Sequence, residues 1–423
     1  MFVESMQRQD AIEVEDIVVV GAGLAGLATA LGLHRRGVRS LVLESSPALR
    51  TSGFAFTAWQ NAFRALDALG VGDKIRKQHP QAQALRVVSS STGEVAQELD
   101  LTVQPKRRGC NEIRCVRREL LVQALEEELP RGTIRYSSRI VSIEEDGDLK
   151  VLQLADGSEL RAKVLIGCDG INSVVAKWLG LAEPTYSGRM AARGLARFPD
   201  GHGFEPKFLQ FNGRGLRSGM RPCNDTDIYW FFSWTPTEND KAIIESGTKL
   251  KRFVLANLAA LTVPAKALAV IEASNDVFAV PLRFRPPLSL IAASISKGGV
   301  CVAGDALHPM TPDLGQGACA ALEDSVVLAR CLGKAVLGEG GIGTGTDEDE
   351  RRRVDAGLRE YASARRRRWR SVQLIATAYV VGFMQQSNNA VVSFVRDRVL
   401  SGFLARTLLN MSDYDCGSSE MLD

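Results

Sequence analysis

The sequence predicts an α/β fold: a doubly wound parallel sheet, interrupted by an inserted antiparallel sheet and followed by C-terminal helices. Three observations carry this prediction. First, a β-branched apolar run at 17–20 leads into GAGLAG at 21–26, a helical LATALGLHRRG and a second apolar strand at 41–44. Strand, glycine turn, helix and strand in that order make a βαβ unit with a buried parallel sheet. Second, between about 185 and 290 the texture changes to alternating strands with turn signals, KFLQFNGRG, RGLRSGMRP and DIYWFFSW, which reads as antiparallel sheet. Third, 298–303 is again a buried-strand pattern and GACAALEDSVVLARCL from Gly317 is helical, so the first fold resumes after the insertion.

The remaining elements fill this frame. A helix is expected at 117–129 and a short buried strand at 163–167, entering CDGINS. The discontinuous nucleotide-binding domain then comprises 16–80, 110–185 and 295–335, and the sheet domain 81–109 and 186–294. A glycine- and acid-rich linker occupies 336–350, with C-terminal helices at 351–411. A chain of 423 residues has length for two such cores. Lys and Arg exceed Asp and Glu by only three, which argues against a nucleic-acid partner. The eight cysteines show no CxxC and no zinc spacing, and are expected to be mostly reduced and buried. The first sixteen residues carry five acids and lack the basic and apolar regions of a secretory signal. The apolar stretch at 372–384 is shorter than a membrane span requires, and a cytoplasmic location is expected.

Gly21, Gly23 and Gly26 form GxGxxG directly after a strand, where glycines allow the tight turn, the close approach of a pyrophosphate and helix packing on the sheet. With Ala22, Leu24 and Ala25 they present a helix N-terminus to the phosphates. Glu44, followed by Ser45, ends the second strand about 20 residues on, where a carboxylate accepts ribose hydroxyls. Gly338, Gly340 and Gly343 spell the same pattern, but no strand precedes them and they are read as linker. The fingerprint alone does not separate FAD from NAD.

Two later segments decide between them. VLIGCDGINSVVAKWLG carries Asp169 and Gly170, and VAGDALHPMTPDLGQGACAALEDSVVLARCL carries Gly304, Asp305, His308, Pro309, Pro312, Asp313, Gly315, Gln316 and Gly317. With the glycine turn, these segments resemble the paired signatures of the single-component FAD-dependent aromatic hydroxylases (group A flavoprotein monooxygenases). The resemblance is nearest to their plant branch, related to zeaxanthin epoxidase and salicylate hydroxylase-like enzymes. It implies a para-hydroxybenzoate hydroxylase-like fold, with FAD as cofactor and NADPH or NADH as reductant. It implies further that Asp305 binds a ribityl hydroxyl, and that the backbone from Gly315 to Cys319, through Gln316, Gly317 and Ala318, faces the pyrimidine end of the flavin. Arg50, Thr57, Arg117 and Ile140 match positions near FAD, and Asp169 and Gly170 serve FAD and NAD(P)H together. For His308 a structural role in shaping the flavin loop is preferred to a catalytic one.

For the substrate, DIYWFFSW puts Trp230, Phe232 and Trp234 on one face of a strand, where they either roof an aromatic pocket or fill the core of the sheet. Arg193 lies where a urate-hydroxylating relative has a substrate contact, and is a candidate anchor for an anionic group. Phe54 and Phe56 depart from the smaller residues of relatives. RRRRWR at 365–370 with apolar residues at 372, 375, 379 and 383 is read as one solvated turn entering a packed helix, the alternative being a membrane-surface segment through 365–384. The expected activity is a monooxygenase that hydroxylates or epoxidises a small aromatic substrate with O2 through a flavin hydroperoxide. The alternatives are a flavin-dependent reductase or dehydrogenase without oxygen transfer, and a non-catalytic flavin-binding protein. Neither a metal nor a P-loop, GxSxG or HExxH chemistry is expected.

Overall fold

A computed structural model describes residues 14–50, 53–89, 93–102, 112–213, 215–338, 346–366, 370–386 and 409–417. The strand Val14–Val20 runs between Leu41–Leu43 and Glu159–Gly167, parallel to both, with Val18 opposite Leu41 on one side and Leu165 on the other. Val18, Val19 and Val42 are fully buried, as strands covered on both faces require. Val300–Val302 extends the sheet beyond Glu159–Gly167, so the chain returns to the first sheet after the insertion. An antiparallel hairpin, Ile140–Asp146 with Leu149–Leu154, adds to the same sheet; the sequence reading did not anticipate it.

The first helix, Leu24–Arg35, is buried along ten consecutive residues. Small residues let it lie between the sheet and the long helix Gly317–Leu337, and the two helices touch through Thr29 and Ser325, 3.1 Å apart at their hydroxyls. Two distant segments of sequence thus share one core.

The second sheet has seven strands in the order Ser274–Phe284, Thr185–Arg197, Asp227–Trp234, Leu216–Pro222, Lys207–Gly213, Ala84–Ser89 and Val95–Asp100. All pairings are antiparallel except that of Lys207–Gly213 with Ala84–Ser89. The strand Asp227–Trp234 is buried on both faces, and its alternation separates two environments. Trp230, Phe232 and Trp234 pack with Leu250, Val254, Leu258, Val270 and Ile271 in a core of their own. Trp230 Nε1 donates to Ser274 Oγ (2.7 Å) and Trp234 Nε1 to Asp240 Oδ2 (3.1 Å). These three residues therefore do not roof a pocket: helices Gly247–Ala259 and Ala265–Glu272 cover that face. Tyr229 and Phe231, on the other face, join the core of the first sheet.

The C-terminal helices are Asp347–Arg366 and Arg370–Gln386. The second packs through Leu374, Ala378 and Val381 against Leu314 and Ala320, with Ile375 buried and Tyr379 and Phe383 exposed. Its contact stripe is thus set by the surface it meets, and differs from the spacing 372, 375, 379 and 383. Arg365 and Arg370 are almost wholly buried, so the ends of the arginine run point inward; 367–369 lie outside the described residues, as do Gly340 and Gly343 of the second glycine pattern. No described helix is long and apolar enough to cross a membrane. The seven described cysteines are free and buried, and Cys110 lies outside the described residues.

Trp230→Ala is expected to destabilise the protein by about 3–5 kcal/mol, the cost of truncating a buried indole, while leaving cofactor content per folded molecule unchanged. Denaturant unfolding together with absorbance of the purified variant checks both.

Candidate functional site

The glycines of the first turn have separate reasons. Gly21 has φ +99°, and a Cβ there would meet the Cys168 carbonyl oxygen at 2.7 Å. At Gly26 a Cβ would stand 1.8 Å from the Gly21 carbonyl oxygen, so the helix closes on the turn only without a side chain. Gly23 has nothing within 4 Å; its freedom faces a cavity. Glu44, at the end of Leu41–Leu43, accepts from the Ala22 amide (2.9 Å) and the Ser46 amide (2.8 Å) and pairs with Arg50 (3.0 Å). Burial pushes the Glu44 carboxyl up, but those amides and Arg50 outweigh it and hold it below its ordinary range.

A cavity of about 650 Å³ runs from this turn to the second sheet. Gly21, Ala22, Gly23, Leu24, Ala25, Glu44, Ser45, Arg50, Ile140, Asp169, Gly170, Arg193, Asp305, Pro312, Gly315, Gly317 and Ala318 line it. Asp169 accepts from the Val174 amide with one carboxylate oxygen (2.7 Å), while its other oxygen is buried without a partner. Asp305 is deep in the fold yet open to the cavity; burial raises its pKa against the pull of His308, Arg118 and Arg193. Gly315 takes the left-handed conformation, φ +65°, that turns the chain into the helix Gly317–Leu337. The N-terminal amides of that helix meet the cavity at Gly317 and Ala318, a positive dipole end.

Other expected residues lie behind this wall. Gly304 donates its amide to Asp324 (2.8 Å), and Gln316 accepts from Asn61 (2.9 Å). Thr57 is buried with its hydroxyl unpaired, next to Cys319, whose thiol burial pushes up to about 12. Arg117 turns away from the cavity to Asp227 (2.8 Å) and Glu119 (2.9 Å). Of these two neighbours it is Arg118 that lies in the cavity wall, where burial lowers the guanidinium pKa against the attraction of Asp305. Arg117 ends the strand Arg114–Arg117 and Arg118 opens the helix Arg118–Glu127, so neighbours in sequence face opposite ways. The buried Leu121, one helical turn after Arg118, was the available signal.

Beneath the loop that carries Asp305 lies a buried charge network. Glu323 binds Arg370 (2.5 Å), Arg365 (3.1 Å) and the Asn61 amide (2.5 Å). Asp324 binds His308 (2.6 Å) and Arg365 (2.5 Å). His308 is fully buried here and is not part of the cavity wall.

A family model described as an FAD binding domain matches residues 14–360. Monooxygenase 2 of Arabidopsis thaliana is 47% identical over 406 residues, covering 95% of this chain and 98% of that protein. The chain is a flavoprotein monooxygenase of the FAD-binding-domain family. A second relative of the monooxygenase, Monooxygenase 1 of Arabidopsis thaliana, is 35% identical over 95% of the chain and 98% of its own length. Among solved structures, Klebsiella pneumoniae HpxO complexed with FAD and uric acid shares the monooxygenase's fold, with a TM-score of 0.78 at 24% identity, covering 98% of this chain and 99% of that one. The monooxygenase's cofactor is FAD, and the site suits it: a long cavity, an open glycine cradle at Gly23 and an unpaired buried acceptor on Asp169.

Burial pushes the Glu323 and Asp324 carboxyls up, but Arg370 and Arg365 for the first, and Arg365 and His308 for the second, hold both below their ordinary range. A lowered folded pKa contributes stability that is complete above the unfolded value and is lost as pH falls through the folded one. The monooxygenase is therefore expected to lose stability on acidification below about pH 4. Glu323→Gln should cost about 3–5 kcal/mol at neutral pH, since it leaves buried cations unpaired, and should flatten the acid limb. Unfolding midpoints measured across pH check both.

Proposed function

We propose that the monooxygenase takes electrons from NADPH or NADH and hydroxylates or epoxidises a small aromatic molecule. One observation carries this reading: a single cavity joins the glycine turn and the Asp305 loop to Arg193 on the second sheet. A nucleotide held at one end therefore brings its reacting ring beside a strand that can hold a substrate. Bound and reduced, FAD activates O2 and supplies one of its atoms. The relatives support an aromatic or heteroaromatic substrate, since they include a urate hydroxylase and a 6-hydroxynicotinate 3-monooxygenase.

The chain's own groups bind, orient and exclude water. Glu44 and Asp169 are acceptors suited to ribose and nearby hydroxyls, and Asp305 to a ribityl hydroxyl. Arg118 and Arg50 supply positive charge along the phosphates, and the glycine turn supplies amides. The helix N-terminus at Gly317 and Ala318 favours negative charge on the pyrimidine edge of the reduced ring. On the substrate side, Phe54 stacks on Phe278 with centroids 5.1 Å apart, and Phe56 lines the cavity. Apolar walls keep water from the reacting atoms, which protects oxygen transfer from loss as hydrogen peroxide.

Arg118→Met is expected to weaken FAD binding at least tenfold, as loss of a charge-assisted contact in a desolvated site does, whereas Arg117→Met should change it less than threefold. Fluorescence titration of the apoprotein measures the two. The activity itself is tested with purified yellow protein, NADPH and 18O2 in the presence of salicylate, urate or 6-hydroxynicotinate. One of them is expected to accelerate NADPH oxidation and to carry one labelled oxygen in its product. Hydrogen peroxide as the sole product, or equal turnover with an artificial acceptor and no O2, would refute the reading.

A further inference from the structure

Two buried thiols face each other where the strand leading to Arg118 meets the seven-stranded sheet. Cys115 lies in Arg114–Arg117, opposite Thr57 of Ala55–Ala58, and Cys223 follows the strand Leu216–Pro222. Their sulfurs stand 3.3 Å apart, and neither residue has any solvent exposure. Among the described residues no other two cysteines make such a contact.

Neighbouring groups, and not the thiols themselves, hold the two segments in place. The Cys223 amide donates to the Asp227 carbonyl (2.8 Å), closing a turn inside which Asn224 Oδ1 accepts from the amides of Thr226 (2.9 Å) and Asp227 (2.6 Å). The Asp227 carboxylate then pairs with Arg117 (2.8 Å), two residues beyond Cys115. On the strand side the Arg117 amide donates to His79 Nε2 (3.1 Å), and the other ring nitrogen lies 2.9 Å from the Ile75 carbonyl oxygen. Each cysteine therefore sits beside an anchored residue, and the sulfurs are kept in contact without a bond between them. Burial pushes the Cys223 thiol up, with the Cys115 sulfur adding to the effect, so Cys223 rests as a thiol. Forming a disulfide asks the sulfurs to close by about 1.3 Å from their present contact.

We propose that Cys115 and Cys223 form an oxidation site, which hydrogen peroxide converts to a disulfide that staples the strand leading into Arg118 to the seven-stranded sheet. A flavoprotein monooxygenase meets this oxidant by its own chemistry, because activated oxygen that is not transferred leaves as peroxide. One thiol gives up its proton and attacks the peroxide O–O bond, forming a sulfenic acid and one water. The second thiol displaces the sulfenic hydroxyl as a second water and makes the S–S bond. Each sulfur loses one electron, the two peroxide oxygens are reduced to water, and the two thiol protons complete the waters. The bond closes a loop spanning 108 positions, which restrains the unfolded chain. Since the sulfurs already touch in the native fold, the cavity is left in place. The inference goes beyond the functional reading and holds whichever substrate the monooxygenase uses.

The test uses the FAD-loaded full chain, freed of reductant and titrated with hydrogen peroxide. Remaining thiols are alkylated in denaturant, and the digested protein is read by mass spectrometry. A Cys115–Cys223 disulfide is expected as the principal oxidised species, with the other five described cysteines still open to alkylation. The oxidised protein should keep its FAD and unfold at a temperature at least about 5 °C higher, and dithiothreitol should return it to the reduced value. Cys115→Ala and Cys223→Ala should each bind FAD as the unaltered protein does and lose the peroxide-dependent shift. Should either variant fail to fold, the disulfide peptide of the unaltered protein still decides. Sulfinic or sulfonic acid at these two positions in place of the disulfide, or no cross-link in the folded protein, would overturn the inference. So would a cross-linked protein that loses FAD or gains no stability.

Discussion

Glu323 and Asp324 are adjacent carboxylates with no solvent exposure on one helix, and they tie the loop carrying Asp305 to the C-terminal helices. Buried charges are stable only when fully matched. Here the match comes from Arg365 and Arg370 of the C-terminal helices, Asn61 of the helix Gln60–Ala68, and His308 and the Gly304 amide of the loop carrying Asp305. Asp324 alone binds both ends of that loop, the Gly304 amide and the His308 ring. His308 contributes to this arrangement as a fixed partner of Asp324.

The second sheet divides its work between two faces. Its outer face is a conventional aromatic and aliphatic core, sealed by two helices over Trp230, Phe232 and Trp234. Its inner face carries arginines and aromatic rings together. Glycines make room for rings on both faces: at Gly219 a Cβ would meet the inner Phe231 ring at 2.6 Å, and at Gly194 the outer Trp230 ring at the same distance. The polar interior has a structural part, Asp313 with Arg189 and Arg217, which fastens the loop before the long helix to the sheet. It has another part, Arg193 and Arg221, which make no ion pair among the described residues. That division gives a cavity one rigid wall and one charged wall.

Much of the candidate site was legible because each of its parts is contiguous. The glycine turn, Glu44 at the end of its strand, Asp169 before a short helix, and the run from Gly304 to Ala318 are local structures whose geometry depends on a few neighbouring residues. They met in one cavity because parallel strands align their C-terminal ends. Where the reading went astray, the outcome depended on facing. Arg117 and Arg118 are both plausible cations, and the change from strand to helix between them selects Arg118. The indoles of DIYWFFSW were correctly grouped on one face by alternation, but alternation does not say which face turns toward the cavity and which meets helices that come later in the chain.

From the sequence alone came the α/β class, the interruption of one sheet by another, the family and FAD, since these rest on hydrophobic period and on short motifs with stringent steric demands. Tertiary structure alone decided that Arg118 rather than Arg117 lines the cavity, and which faces of the sheet and of the last helix are covered. It also decided that Arg217 and Arg189 share Asp313 as counter-charge. The reason is physical: charge balance and burial are sums over neighbours brought together by folding from distant segments, and no local window of sequence contains those neighbours.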